Sequence, residues 1–243
     1  MEIIKPLTQI TLAMSLLLVT TATSDLYKTI GKTNIYNVNS KNLYYAKSGF
    51  MIDADGAPKA YHKDKGIGLD YIDNAGKPGN WWALATDNKK ANGTPLIQKA
   101  TDPAPGYYIS MTSLTDASKK YDDPKRYVNS ETVPYIAIPP KFASDFKKGD
   151  IALVINQKNN KRCYAIVADI GPNNKFGEGS IYLASQLGIN SNPKKGGTAN
   201  NIVYFLFKNS GNGKVMSNSK INEIGKSKLN EDEIDKLLKL VSN

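Results

Sequence analysis

Short apolar runs of strand length, separated by turn residues, are the feature that most limits the fold of this chain. Runs rich in Val, Ile, Tyr and Phe alternate with segments of Gly, Pro, Asn and Asp. Helix is predicted only in short segments and near the C-terminus. Many short strands with few helices favour a closed β-barrel over a parallel α/β sheet, so we expect a mainly β fold. The predicted strands are residues 43–53, 107–114, 133–138, 150–156, 162–168 and 202–207.

Composition sets the size of the folded unit and the classes of partner. With 243 residues, 40% of them hydrophobic, the chain is long enough to bury a full core in one domain. The formal net charge of +10 would attract anionic polymers. The lysines form no stripe with interleaved aromatic residues, however, so we do not expect nucleic acid binding.

The chain divides into four predicted parts. Residues 1–24 have a weakly positive start, an apolar stretch and small residues near Ser24, which is typical of a signal peptide. Residues 25–41 are polar and are predicted to be a flexible arm. Residues 42–208 are predicted to be the barrel domain, and residues 209–243 a linker with a C-terminal amphipathic helix. We therefore expect a secreted or periplasmic protein with no stable membrane insertion after signal removal.

Two carboxylates, Asp169 and Glu178, lie on either side of a loop rich in turn residues. The run ending at Ala168 is predicted to be a strand, and the Gly171-Pro172-Asn173-Asn174 sequence is strong turn chemistry. Nine extended residues would span up to about 30 Å, so the two acids can share a substrate only if the loop doubles back. A paired acid and base is the equipment for cleaving a glycosidic bond. A purely structural role in the turn is an equal alternative on spacing alone.

Other reactive residue types are scarce. Cys163 is the only cysteine and His62 the only histidine, so we expect no intrachain disulfide, no metal site and no cofactor. The Asp53-Ala54-Asp55-Gly56 turn is a second acidic cluster. This segment lacks the third ligand position and the distal Glu of a calcium loop, so its own sequence is typical of a simple turn.

Three stretches resemble known polysaccharide-active proteins. The segment ADIGPNNKFGEGSIYLA at 168–184 is similar to the acid-bearing element of glycoside hydrolase family 75 chitosanases. The segments FMIDADGAPKAYH at 50–62 and VPYIAIPP with GDIALVIN resemble the family's upstream Asp-rich element and central strand pair. The likeness covers roughly residues 43–208. The strand, Asp-x-Gly-Pro turn and LASQLG helix also resemble the signature half of double-psi β-barrels such as expansins.

This resemblance implies both a fold and an activity. The fold is a six-stranded double-psi-like β-barrel with extra strands and few short helices. The activity is endo-cleavage of β-1,4-linked aminosugar polysaccharide with inversion of configuration, with Asp169 and Glu178 as the acid/base pair. Which acid plays which role stays open. The predicted substrate-binding residues are Asp53, Asp55, Tyr61, His62, Asp70, Trp82 and Asn173.

Two alternative functions stay open. A peptidoglycan lytic transglycosylase or hydrolase on the same barrel would need only Asp169 and would suit the positive charge. A non-catalytic, expansin-like polysaccharide-binding protein would need neither acid for turnover. In each case the partner is a polysaccharide and we expect a monomer.

Overall fold

The computed structural model describes residues 23–38 and 42–242. The strands in this part of the chain are β1 (Ser24–Ile30), β2 (Thr33–Val38), β3 (Leu43–Asp53), β4 (Gly76–Lys77), β5 (Asn80–Trp81), β6 (Tyr135–Ile138), β7 (Ile151–Asn156), β8 (Lys161–Ile170), β9 (Glu178–Ser180) and β10 (Thr198–Phe207). The helices are α1 (Pro140–Ala143), α2 (Ile181–Gln186), α3 (Asn218–Lys226) and α4 (Glu231–Ser242), with 3₁₀ turns at Ile72–Asn74 and Pro124–Arg126.

Six of these strands close into a barrel. Their order is β3-β10-β7-β8-β6-β9, and β9 pairs back onto β3. The β3–β9 and β6–β8 pairs are parallel, and the other four pairs are antiparallel. The expected mainly β fold, a closed six-stranded barrel with extra strands and few short helices, is therefore confirmed. Its double-psi character stays a prediction.

Alternation of side chains along the barrel strands creates two apolar clusters on opposite faces. Val154 and Val167 belong to one cluster, together with residues of α2. Their sequence neighbours Leu153 and Ile166 belong to the other, together with residues of α3 and α4. Each fully buried aliphatic side chain contributes roughly 1.5 to 3 kcal/mol. The alternation of side chains with a period of two residues therefore also determines which of the two clusters each strand residue packs in.

The N-terminal segment differs from the sequence expectation. Where a flexible arm was predicted at 25–41, β1 and β2 form an antiparallel hairpin that continues the sheet beside β3. Ile30, Ile35 and Val38 are buried there, and Lys28 forms a 3.0 Å ion pair with Asp145. The prediction was wrong because these few apolar residues are dispersed among many polar ones, yet all three lie on covered positions.

Most of the predicted signal peptide, residues 1–22, lies outside the described residues, as do residues 39–41 of the arm. Across residues 23–38 and 42–242, no helix combines the length and apolar character that a membrane crossing requires.

The long segment between β3 and β6 covers one end of the barrel. The strand predicted at 107–114 is not regular there, and the prediction was wrong. Ser110 pairs with Leu84, and Tyr108 pairs with Ile97, each through a single bridge. No neighbouring segment runs alongside for long enough to form a continuous ladder. The segment instead packs around two small apolar clusters of its own.

Two helices follow the barrel at the C-terminus. The predicted helix is α4, whose start contains the reciprocal pair of Asn230 and Glu233, with each backbone amide bonded to the other's side chain at 3.0 and 2.9 Å. The preceding helix, α3, was not predicted, because its start lies in a Ser/Asn/Gly-rich segment assigned as linker. Gly225 of α3 lies so close to the Tyr164 ring that a Cβ would collide with it. Close packing on β8 therefore stabilises α3.

Candidate active site

Asp169 and Glu178 lie on either side of one residue of β6. Ala137 pairs with Asp169 of β8 on one side and with Glu178 of β9 on the other. Residues paired across neighbouring strands project from the same face of a sheet. Strands are spaced about 4.8 Å apart, so two spacings put the Cα atoms of the acids roughly 10 Å apart. The loop that had to double back for the acids to meet does so.

A one-residue bulge in β8 brings Asp169 onto this face. Val167 pairs with Ile136 while Asp169 pairs with the next residue, Ala137, so Ala168 is an extra residue in β8. Simple alternation would put Asp169 on the same face as Val167, inside an apolar cluster. The bulge reverses the alternation and directs the carboxylate to the face that also carries Glu178.

Two glycines in the loop between the acids occupy places where no side chain fits. A Cβ on Gly171 would collide with Oε2 of Glu178, and a Cβ on Gly177 would collide with the Gly49 carbonyl oxygen. Gly177 also has a φ of +103°, a backbone region that favours glycine. Between them, Phe176 is buried in the apolar core. The loop is therefore held back against β3, with Glu178 next to the Gly171 backbone.

Asp169 is buried and accepts three hydrogen bonds, all at Oδ1. The donors are the Ser113 amide at 3.0 Å, the Ser113 hydroxyl at 2.7 Å and the Ile170 amide at 2.8 Å. Burial raises the pKa of Asp169 to about 6, and these hydrogen bonds, with the charge of Lys148, limit the rise. Donors aimed at one oxygen favour the ionised form and leave the second oxygen available to accept a proton.

Glu178 has a different environment. Its Oε2 atom is buried and has no hydrogen-bond partner among the described residues. Burial, followed by the charge of Asp169, raises the pKa of Glu178 to about 7, while Lys175 opposes the rise. Because no donor stabilises its ionised form, Glu178 keeps its proton to a higher pH than Asp169 does.

Asp53 and Asp55 complete a group of four carboxyl groups. Asp53 lies two residues beyond Met51, which pairs with Glu178, so the two acids share a face. Oδ1 of Asp53 accepts the Asp55 amide at 2.8 Å. Burial raises the pKa of both well above the ordinary range, and the neighbouring acids raise it further. One carboxylate oxygen from each of Asp53, Asp55 and Asp169 lies within 4.8 Å of the others.

These acids line a cavity of about 1300 Å³. Sites for small molecules usually enclose about 300 to 1,000 Å³, so this cavity is large enough for several units of a polymer. Its walls come from the end of β3, the segment between β3 and β6, the loop between the two acids and the residues preceding β10. The predicted residues that line it are Asp53, Asp55, Tyr61, Asp70, Trp82, Asn173, Asp169 and Glu178.

Several of these residues are held by specific contacts. The Tyr61 hydroxyl donates to Oδ1 of Asp55 at 2.8 Å. Asp70 is buried and accepts the Asn74 side-chain amide at 3.0 and 2.9 Å on its two oxygens. The Trp82 indole donates to the Asn74 carbonyl at 2.9 Å, which fixes a ring that is 57% exposed. Trp82 therefore presents an oriented aromatic surface at the cavity wall.

His62 is the one predicted substrate-binding residue that the structure does not place in the cavity lining. Its Nδ1 accepts the Asp64 amide at 3.0 Å within its own loop. Its ring packs edge-on against Tyr107, with the ring centroids 4.9 Å apart. These contacts hold Nδ1 and one edge of the ring within the loop, and a role for His62 in substrate binding stays a prediction.

Sequence reasoning missed residues that hold the acids in place. Ser113 donates twice to Asp169, and the Tyr135 hydroxyl donates to the Asp55 carbonyl at 2.9 Å. Ser113 lies within the run at 107–114 that was predicted to be a strand. Nothing in the sequence connects it with an acid more than fifty residues away, because the contact depends on how the covering segment folds over the barrel.

Comparison with known proteins places the chain among polysaccharide hydrolases. The sequence model of a family described as fungal chitosanase of glycosyl hydrolase group 75 matches residues 99–240, which is more than half of the chain. The matched region contains Asp169 and Glu178, whereas Asp53, Asp55 and Trp82 precede it. No curated protein matches the chain.

Proposed function

This chain belongs to glycosyl hydrolase group 75, the fungal chitosanase family, and from that membership we propose that it cleaves chitosan-like polymers within the chain. It is a glycoside hydrolase, and its polymer is a β-1,4-linked aminosugar polysaccharide with free amino groups. The observation that carries this proposal is a group of four carboxyl groups around one large cavity, in which Asp53 and Asp169 are buried and Asp55 and Glu178 are half-buried.

Glu178 is the general acid and Asp169 the general base. An acid must hold its proton until the leaving oxygen takes it, and a pKa of about 7 allows Glu178 to do so. A base must be ionised at the same pH, and three hydrogen bonds to Oδ1 favour the ionised form of Asp169. The difference in environment therefore supports opposite roles for two similar side chains.

The pairing across β6 supports inversion of configuration. Inverting glycosidases hold their carboxyl groups about 6.5 to 9.5 Å apart, which leaves room for the attacking water, whereas retaining enzymes hold them about 5 to 5.5 Å apart. Cα positions two strand spacings apart suit the wider separation. The water is then activated by Asp169 on the face of the sugar opposite Glu178.

The remaining wall residues bind the polymer. Asp53, Asp55 and Asp70 provide acceptors for the ammonium and hydroxyl groups of the polymer. These contacts act well within a Debye length of about 8 to 10 Å, whereas the net charge of +10 acts at longer range. Trp82 stacks on a sugar ring at the cavity wall, and Asn173 donates from the loop between the two catalytic acids.

The test is hydrolysis by Asp169→Asn and Glu178→Gln variants on chitosan, chitin and purified peptidoglycan. Each variant should lose at least about 100-fold in chitosan turnover while remaining folded. Asp235→Asn and Glu131→Gln change exposed carboxylates of the same types and should retain wild-type turnover. NMR of fresh products should show the α-anomer first. Normal turnover by either catalytic variant, or anhydro-muramyl ends released from peptidoglycan, would contradict the proposal.

Export from the cytoplasm accompanies this function, because a polymer cannot enter the cell before it is cut. We expect the N-terminal signal at residues 1–24 to be removed near Asp25. N-terminal sequencing of the protein recovered outside the cytoplasm tests this, and an intact Met1 on the exported protein would contradict it.

A further inference from the structure

The segment that covers the barrel is attached to β8 at the point where Asp169 lies. Ser113 donates two hydrogen bonds to Oδ1 of Asp169, from its amide at 3.0 Å and from its hydroxyl at 2.7 Å. The amide of the next residue, Leu114, donates to the Ala168 carbonyl at 2.8 Å. The peptide that joins Ser113 to Leu114 is thus held at its N–H end by the strand that carries the acid.

Lys148 holds the other end of that peptide. Its ammonium group donates to the Ser113 carbonyl at 2.8 Å, although the two residues are 35 positions apart in the chain. Lys148 precedes β7 and is not among the residues that line the cavity of the four acids. A charged donor forms a stronger hydrogen bond than a neutral one. The contact therefore places a positive charge next to the residue that provides two of the three donors to Asp169.

The backbone on both sides of Lys148 is anchored, which limits where its side chain can reach. Asp150 is fully buried; its Oδ2 accepts the Lys147 amide at 2.8 Å, and its own amide donates to the Lys147 carbonyl at 2.9 Å. Gly149, with a φ of +86°, donates its amide to the Val167 carbonyl at 2.8 Å. Lys148 is therefore the exposed tip of a turn that is attached to β8, the strand that carries the proposed base.

The surroundings of Asp169 otherwise oppose its ionisation. Burial is the main cause of its raised pKa, whereas the hydrogen bonds from Ser113 and Ile170 and the charge of Lys148 lower that pKa. A nearby positive charge favours the ionised carboxylate, which is the form that a general base needs. The titratable groups around Asp169, besides Lys148, are Asp53 of β3, Asp55 of the following turn, Glu178 of β9 and Tyr135 of β6.

We propose that Lys148 is a positioning residue for the base: through the Ser113 carbonyl it fixes the two donors that hold Asp169, and its charge keeps Asp169 ionised in acidic solution. The inference rests on the proposed hydrolytic function, because it needs Asp169 as the base. Burial alone would protonate Asp169 in the acidic solutions in which an aminosugar polymer carries ammonium groups. A fixed cation outside the cavity therefore extends activity towards acidic pH without occupying the space of the polymer.

Three variants test the role of the Lys148 charge. Lys148→Met removes the ammonium group and keeps an unbranched side chain, and Lys148→Arg keeps a charged donor. Lys147→Met makes the same change of net charge at the neighbouring exposed residue. Because both lysines are exposed, all three variants should fold, which circular dichroism checks.

The first measurement needs no polysaccharide. A ¹³C NMR titration follows the Asp169 carboxyl carbon in the free protein. In Lys148→Met the apparent pKa of Asp169 should rise from about 6 to between about 6.5 and 7, a smaller change than a direct ion pair would give, because Lys148 is exposed and acts across Ser113. Lys148→Arg and Lys147→Met should titrate like wild type. An equal apparent pKa in wild type and Lys148→Met overturns the proposal.

The second measurement is the pH dependence of chitosan hydrolysis. On the acid side the rate follows the ionised fraction of the base, so kcat of Lys148→Met should be about 3- to 10-fold below wild type near pH 5, and the deficit should shrink as the pH rises. KM should not rise, because Lys148 does not line the cavity. An equal loss of kcat at every pH would indicate a purely structural role. A raised KM with an unchanged acid limb would indicate contact with the polymer. Either result overturns the proposal.

The two proposals can fail separately. If wild type does not cut chitosan, the hydrolytic function falls, and the NMR titration still decides whether Lys148 controls the Asp169 carboxyl. If chitosan is cut and Asp169 titrates alike in wild type and Lys148→Met, the hydrolytic function stands and the role of Lys148 falls.

Discussion

Replacing Glu178 with Gln should remove activity and yet stabilise the folded protein at alkaline pH. The folded state holds the pKa of Glu178 near 7, compared with an ordinary value of 4.5. Ionising this buried carboxyl therefore costs the folded state about 3 kcal/mol more than it costs the unfolded chain. Glutamine has the same shape and carries no charge at any pH, so the variant does not incur this cost.

The sign of the pH dependence follows from proton binding. Between pH 4.5 and 7 the folded protein keeps the Glu178 proton while the unfolded chain loses it. The contribution of Glu178 to stability is therefore fully present below pH 4.5 and is lost as the pH rises towards 7. Relative to wild type, Glu178→Gln should gain about 3 kcal/mol between pH 4.5 and pH 8, which corresponds to about 6 to 12 °C in Tm for a domain of this size.

The assay is thermal and urea unfolding of both proteins at pH 4.5 and pH 8, with EDTA present to remove divalent cations. A buried amide that lacks a partner costs the same at both pH values, so the difference between the two pH values isolates the charge. Glu131→Gln changes an exposed glutamate and should run parallel to wild type at both pH values. Parallel behaviour of Glu178→Gln would refute the reasoning, because it would mean that the Glu178 charge is well solvated.

Three further predictions concern the hydrogen bonds, the wall and the loop of the cavity. Ser113→Ala removes the 2.7 Å hydrogen bond to Asp169, so the apparent pKa of the acid limb of the pH–rate profile should rise from its value near 6. An unchanged apparent pKa would mean that Ser113 does not stabilise the ionised form of the base. Trp82→Ala should raise KM about two- to ten-fold with little change in kcat in steady-state assays on chitosan, because aromatic stacking contributes about 0.5 to 1.5 kcal/mol. A selective loss of kcat would argue against a stacking role. Gly171→Ala should displace Glu178 and lower kcat at least ten-fold while circular dichroism shows the fold retained, and normal turnover would mean that the acid tolerates the displacement.

The barrel and the acid pair were predictable because their signals are local. Period-two apolar runs specify strands, and only a loop rich in turn residues can bring Asp169 and Glu178 together across nine positions. The expected closed barrel is present, and both acids line one cavity. Their assignment as the catalytic pair stays a prediction until the variants are tested.

The remaining features depend on contacts between distant parts of the chain. The Ala168 bulge has no sequence signature, since any residue can be the unpaired one, yet it decides which face Asp169 occupies. The donors from Ser113 come from a segment whose path is set by packing on the barrel. The position of His62 outside the cavity lining depends on a local contact of the same kind, because the Asp64 amide bonds its Nδ1 within the loop.

Because Asp169 and Glu178 both pair with Ala137, the distance between the acids and the choice of polymer are set by different parts of the fold. The distance between the acids is held by the backbone ladders of a closed barrel, whereas most of the surface that contacts the polymer belongs to loops. Loops tolerate substitution and insertion far better than barrel ladders do. Evolution or engineering can therefore alter which polymer is accepted by rebuilding the segment between β3 and β6, while the stereochemical course of the reaction is inherited unchanged with the scaffold.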